Sequence, residues 1–284
     1  MDALTHLQIL LYRIVASLPL LFVFGLGAAI GSFLNVVIYR LPQDLSLIHP
    51  PSRCPHCSHR LGPSENIPIW GWIRLKGRCK SCRASISPRY PLVELATALV
   101  FVLIVAIAGW SWTAVGYGVL FSWLLALALI DFDTQTLPNP LTQSGLLLGL
   151  GFQAILGFLE SQGAIAGTIQ GLMGGVIGAV LGIWLLGTIG LLGSVALGKA
   201  AMGGGDAKLA AMMGAWLGWK LLLLSLFLAA LGGAVVGSIG IWIGLLQRQQ
   251  RIPFGPFLAL GAAMSALWGG GLIALYQSFF WTTT

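Results

Sequence analysis

The chain has 284 residues, 57% of them apolar and 8% charged, and its mean hydropathy is +0.90. Ordinary soluble domains are about one quarter charged, so this composition excludes a soluble globular protein and gives an all-α, polytopic membrane protein. The net charge of +7 is not the mark of a nucleic-acid partner, because it is concentrated in a single loop.

In chain order, apolar runs near 15–38, 91–109, 113–130, 141–159, 166–194, 207–219, 221–246 and 254–280 are candidates to cross the membrane. A hydrocarbon core needs about 20 helical residues, so about eight transmembrane helices are expected. The first run is longer than the apolar core of a secretory signal, although "GAAIGS" resembles a cleavage site, and it is read as a retained helix. The sixth run is short, contains Lys208 and meets the seventh with only Lys220 between them. The chain divides into a first transmembrane helix (1–39), a polar insert (40–90) and a membrane core (91–284).

Of the 15 Lys and Arg residues, nine lie in the insert: Arg40, Arg53, Arg60, Arg74, Lys76, Arg78, Lys80, Arg83 and Arg89. A short basic loop marks the cytoplasmic side of the membrane. Counting crossings from there places 131–140, 195–206 and 247–253 inside, with both termini outside. Lys199, Lys208, Arg248 and Arg251 then lie inside, and only Arg13 and Lys220 lie outside.

All four cysteines sit in the insert, as Cys54-x2-Cys57 and, after 21 intervening residues, Cys79-x2-Cys82. Each C-x-x-C turn points two thiolates at one ion, and two turns complete the tetrahedron that zinc prefers. Disulfides are the alternative, but a cytoplasmic loop lies in a reducing compartment. His56 and His59 are close enough to compete as ligands, although four thiolates already suffice. Such a closed site is structural, because an insert of about 50 residues is too small to build much core. The basic residues around it would be attracted to anionic headgroups, or form a solvated face.

Only eight acidic residues exist, so each one near a membrane helix needs a reason. Asp131 and Asp133 lie in "LIDFDTQTLPNPLT", at the end of the third helix, and Asp206 lies in "MGGGDAKL". Two crossings separate Asp131 from Asp206, so both return to one face of the bilayer. Neighbouring carboxylates cannot both ionise cheaply and share a proton: one activates water while the other donates to a scissile carbonyl. Gly203, Gly204 and Gly205 would let a backbone approach Asp206 closely. Pro138 and Asn139 interrupt and restart a helix, which holds the first aspartate at a helix end.

The segments "GSFLNVVIYRLP", "NIPIWGWIRLKGRCKSC", "ISPRYPLVELATALVF", "LIDFDTQTLPN" and "MGGGDAKLAAMMGAWLG", with the C-x-x-C pair, resemble the bacterial type IV prepilin peptidases (leader peptidase/N-methyltransferases). The likeness runs from about residue 25 to about 220. Glycine-x-glycine-aspartate is the wider signature of intramembrane aspartyl proteases, although presenilin-like members lack the cysteine insert. The resemblance implies an enzyme that removes the basic leader of prepilins or pseudopilins at the cytoplasmic face. It then methylates the new N-terminal amine with S-adenosylmethionine. By position in the motifs, Asp131 and Asp206 are the catalytic pair. Asp133 falls where the family varies and is a neighbour, and Lys208 contacts a carboxylate or carbonyl, or snorkels to headgroups.

The gap between the aspartates looks longer than the family's. Gly171, Gly174, Gly175 and Gly178 within it have small-x-x-x-small spacings, which ordinarily mean close helix packing. No glycine-rich nucleotide-binding turn is visible, so the methyl-donor site must be assembled from the insert and adjacent helices. Glu94, where the second transmembrane helix begins, is a candidate to hold the amine or the cofactor; a carboxylate favoured there by the helix dipole is the alternative. Competing readings are a peptidase without methyltransferase activity, a proton-coupled transporter, for which inverted repeats are not seen, and a scaffold that binds an ATPase.

Overall fold

The structure, a computed structural model, describes residues 3–198, 202–245, 247 and 252–281. Lys199, Arg248 and Arg251, and the side chain of Arg13, lie outside what is described, so their sidedness rests on the sequence alone. Among the described residues there are eight α-helices: α1 (Ala3–Arg40), α2 (Trp70–Arg74), α3 (Arg89–Ala108), α4 (Trp112–Thr134), α5 (Asn139–Glu160), α6 (Ile165–Leu197), α7 (Gly204–Trp242) and α8 (Gly255–Trp281). All but α2 are long and apolar enough to cross a membrane, seven in total. Among the described residues the only β structure is two isolated bridges in the insert, so the all-helical expectation holds.

The chain forms two compact units, Met1–Trp110 and Ser111–Thr284. In the first, α1 and α3 run antiparallel with their backbones nearly touching. A Cβ on Gly27 would lie 2.8 Å from the Ala98 Cα, and one on Gly31 would lie 2.7 Å from the Glu94 Cα. The small residues of "GAAIGS" are therefore a helix contact of the small-x-x-x-small kind. Asn35 Nδ2 extends the seam by donating to the Tyr90 carbonyl at 3.0 Å.

The second unit contains α4 to α8, and the first arm of its least regular element, α7, is densely buried. Helix α7 is interrupted at Gly218, whose φ of 71° and ψ of 173° are not helical and suit glycine. On the arm before Gly218, Ala210 and Gly214 lie against Gly182 and Gly178, so this arm is antiparallel to α6. Met212 and Trp216 lie against Gly145 and Gly149, so it is parallel to α5. On the arm after Gly218, Leu221 lies beside Gly269, Ser225 beside Gly261 and Gly237 beside Ile252, which makes that arm antiparallel to α8. Gly255, which opens α8, touches Asp131 at the end of α4. The level of Asp131 is thus shared by the start of the first arm and by the later part of the second, and the chain reverses at Gly218.

The expected sixth and seventh runs are therefore a hairpin inside one continuous helical element. This is why seven long helices stand where eight crossings were expected. The first arm is about 14 residues, or ~21 Å at 1.5 Å per residue, shorter than a ~30 Å hydrocarbon core. It tolerates this because protein surrounds it: Leu209, Ala210, Met212, Met213 and Ala215 are fully buried. The broken end is also satisfied internally. Gln153 Nε2 donates to the Trp216 carbonyl at 2.8 Å, and Trp216 Nε1 donates to the Gly145 carbonyl at 2.7 Å. Irregular backbone at membrane depth survives only with such partners. Of the glycines expected to pack, Gly171 meets the Gln153 carbonyl, Gly175 the Ala215 carbonyl and Gly178 the Gly214 carbonyl, whereas Gly174 faces open space.

Candidate active site and metal centre

The first carboxylate is placed by the end of a helix. Gln135 adopts left-handed geometry (φ 53°, ψ 33°) and donates its N–H to the Asp131 carbonyl at 2.9 Å, which closes α4. Pro138 and Pro140 then restart the chain as α5. Asp131 is 6% exposed, and its Oδ2 accepts the backbone N–H of Gly255 at 2.8 Å. Asp133 lies ~200° around the same helix and is exposed, so it does not join Asp131.

The second carboxylate is placed by the start of a helix. Gly203 is the N-cap of α7, and Asp206, in its first turn, accepts the Gly203 N–H. That is the reciprocal half of a capping box. Asp206 is 8% exposed and lies within electrostatic reach of Asp131. The three glycines differ in what they do. None has a positive φ; Gly204 is open on its Cβ side, and Gly205 packs on Leu137, where a Cβ would come within 3.0 Å. Lys208 does not meet a carboxylate: its Nζ donates to Asn139 Oδ1 at 2.7 Å, linking the start of α7 to the start of α5.

In the first unit the cysteines form two copies of one turn. The Cys54 N–H donates to the His59 carbonyl and the Cys79 N–H to the Ala84 carbonyl, both at 2.9 Å. Ser58 and Arg83 occupy matching left-handed positions, with φ 57° and φ 61°. All four sulfurs lie within 4.8 Å of one another, with Cys54–Cys82 at 3.8 Å and Cys57–Cys79 at 3.9 Å. Ligands ~2.3 Å from a tetrahedral ion lie ~3.8 Å apart, so the cluster fits a metal ion of that class. The backbone N–H groups of Cys57 and His56 hold the Cys54 thiol down to about 7. Those of Cys82 and Ser81 lower Cys79. Against the Ala84 N–H, the sulfur of Cys57, burial and the other two sulfurs push Cys82 up to about 11. A divalent cation relieves that conflict. His59 is no ligand; it pairs with Glu65 at 3.3 Å, while Glu65 also accepts the Gly62 N–H at 2.7 Å.

Two regions of the chain match known families: residues 25–108 match the bacterial peptidase A24 N-terminal domain, and residues 118–238 match the type IV leader peptidase family. The chain is 40% identical to a prepilin leader peptidase/N-methyltransferase of Stutzerimonas stutzeri, over 93% of this chain and 97% of the relative. It is 39% identical to one of Pseudomonas aeruginosa over the same shares, and 37% identical to one of Burkholderia pseudomallei over 89% and 88%. The chain belongs to the type IV leader peptidase family. No solved structure matches it.

In this family member the first matched region contains the cysteine cluster and Glu94, and the second contains both aspartates. Glu94 is buried beyond the first turn of α3, and its Oε2 accepts the Ile69 N–H at 2.6 Å. Ile69 is the centre of a γ-turn (φ 63°, ψ −54°) closed by Trp70 N–H to the Pro68 carbonyl at 2.6 Å. Such turns are strained, and Glu94 holds this one. Sequence reasoning missed Gly255, which lies outside both matched regions. Its signal was "PFGP", a glycine between prolines just where a helix opens.

Proposed function

We propose that this protein cleaves the leader from type IV prepilins or pseudopilins by aspartyl chemistry and methylates the amine that cleavage releases. The observation that carries the reading is the convergence of Asp131 and Asp206. Two buried carboxyls, from the end of one helix and the start of another, lie within electrostatic reach of each other at one end of the second unit in a leader peptidase. The pair holds one proton. The ionised member takes a proton from water, the water oxygen attacks the scissile carbonyl, and the protonated member donates to the carbonyl oxygen. Collapse of the tetrahedral intermediate returns a proton to the leaving amine.

The basic insert and the charge distribution support a site facing the cytoplasm of a bacterial inner membrane, with both termini outside. A prepilin would there present the junction between its basic leader and its apolar helix. Cys54, Cys57, Cys79 and Cys82 would hold zinc, which supplies folding energy to the insert and no open coordination position. Methylation draws its methyl group from S-adenosylmethionine, and the part proposed for Glu94 is to fix the insert through Ile69.

The test is mass spectrometry of a purified prepilin incubated with the full chain and S-adenosylmethionine. Wild type should yield a product without leader and with one added methyl group. Asp131→Asn and Asp206→Asn should each leave the substrate intact. Cleavage surviving both substitutions would overturn the diad, and an untouched substrate with wild type would favour the transporter.

A further inference from the structure

The second unit brings a third element to the aspartates, one that neither aspartate motif contains. Asp131 Oδ2 accepts the Gly255 N–H at 2.8 Å, a buried hydrogen bond between residues 124 apart in sequence. The fit also depends on the missing side chain. A Cβ on Gly255 would lie 2.6 Å from that same oxygen and 3.0 Å from the Asp131 Cβ and Cγ. Contacts under 3 Å require something to move, and here the neighbour is the short, buried carboxylate itself.

The rest of the α8 entrance is built to hold this N–H still. Pro253 and Pro256 flank the segment and restrict its backbone. The Phe254 carbonyl accepts the N–H groups of Phe257 and Leu258 at 3.0 and 3.1 Å, which fixes the first turn. The rings of Phe254 and Phe257 lie over Gly232 and Gly233 of α7, where a Cβ would make only ordinary contact.

We infer that Gly255 is a positioning residue for cleavage: its backbone N–H holds one oxygen of Asp131, so that the other faces Asp206 and the attacking water. This deepens the diad proposed above and rests on it. A glycine is required because the carboxylate occupies the space a side chain would need. The helix end supplies a neutral donor, which orients the carboxylate without adding a charge to the pair.

The test uses the full chain in nanodiscs and follows cleavage of a prepilin, methylation of already cleaved pilin, and thermal unfolding. Four forms are compared with wild type: Gly255→Ala, a form with glycolic acid at 255 that turns the backbone amide into an ester, Gly270→Ala and Asp131→Asn. Gly270 is a control on the same helix, because nothing lies within 4 Å of its Cβ position. Misplacing a reacting group by about 1 Å costs about 100-fold. Gly255→Ala should lose about that much kcat, with KM and methylation little changed. The ester form adds no bulk; it removes the N–H and leaves the Phe254 carbonyl a weaker acceptor for Phe257 and Leu258, and its kcat should fall at least about 10-fold. Wild-type kcat in the ester form would overturn the proposal, even if Gly255→Ala fails to fold. Asp131→Asn separates the two readings. If it cleaves normally, the diad falls; if it is inactive while both Gly255 forms are normal, only the positioning role falls.

Discussion

The thiols of the insert and the carboxyls of the second unit are both groups that repel one another when ionised, yet they are gathered in different ways. A shift of 25 residues carries Cys54 and Cys57 onto Cys79 and Cys82, with the same backbone hydrogen bonds in each copy. That site is local chemistry used twice, and a metal ion can neutralise it. Asp131 and Asp206 share no such repeat. One ends a helix, the other starts a helix, and they converge only because α5 and α6 return the chain to its starting level. Each accepts a neutral backbone donor, the Gly255 N–H for one and the Gly203 N–H for the other, and in the mechanism proposed above they share a proton. A repeated turn gives a site that stands or falls with its ion, whereas a convergent pair stands or falls with the packing of several helices.

The largest effect that would sharpen this contrast is removal of either carboxylate. Asp206→Asn should cut cleavage by about 10³-fold or more, as expected for loss of a general acid or base, while zinc content measured by metal analysis stays at one ion per chain. The next largest is at the insert. Cys79→Ser should abolish stoichiometric zinc and expose 40–90 to limited proteolysis, with prepilin cleavage largely retained. If cleavage is lost as completely as methylation, the two sites are not separable in this way. Acid should act on the same cluster: without a metal the Cys54 thiol is already held down to about 7, and a bound cation lowers it further. As pH falls below that value protons compete increasingly with the metal, so zinc release to a chromogenic chelator should rise on the acid side.

Smaller effects concern the packing that brings the carboxylates together. Gln153→Leu strands the Trp216 carbonyl at the broken helix, and leaving a buried polar group unpaired costs about 1–3 kcal/mol. Thermal unfolding in nanodiscs should register that loss, and an unchanged midpoint would mean another donor takes over. The smallest is at Lys208, whose bond to Asn139 is exposed. A double-mutant cycle with Lys208→Met and Asn139→Ala should give about 0.5 kcal/mol, in the range of exposed polar pairs.

What was legible in the sequence follows the same division. The cysteine spacing announced its cluster because the ligands of each turn are three residues apart, and hydropathy located the helices because lipid demands long apolar runs. The aspartates were legible only through a motif and a count of crossings, since nothing local says which two carboxyls will meet. The reversal at Gly218 was half visible. The short sixth run and the lone Lys220 marked it, but one glycine with a positive φ can turn a helix without interrupting its hydropathy. Lys208 could not be assigned from sequence because its partner, Asn139, is a neutral side chain on another helix. Gly255 was faint for a related reason: it meets Asp131 through a main-chain N–H, and beyond a glycine between prolines backbone atoms leave no residue-type signal.

The bond between Asp131 and Gly255 also bears on how the enzyme is born. Synthesis runs from the N-terminus, so both aspartates can enter the bilayer while the chain that carries Gly255 is still in the ribosome, 124 residues behind Asp131. Until α8 has been inserted and has packed against α4 and α7, the first carboxylate lacks its orienting donor. On the positioning role proposed above, a protease of this design would therefore reach full activity only once α8 is in place.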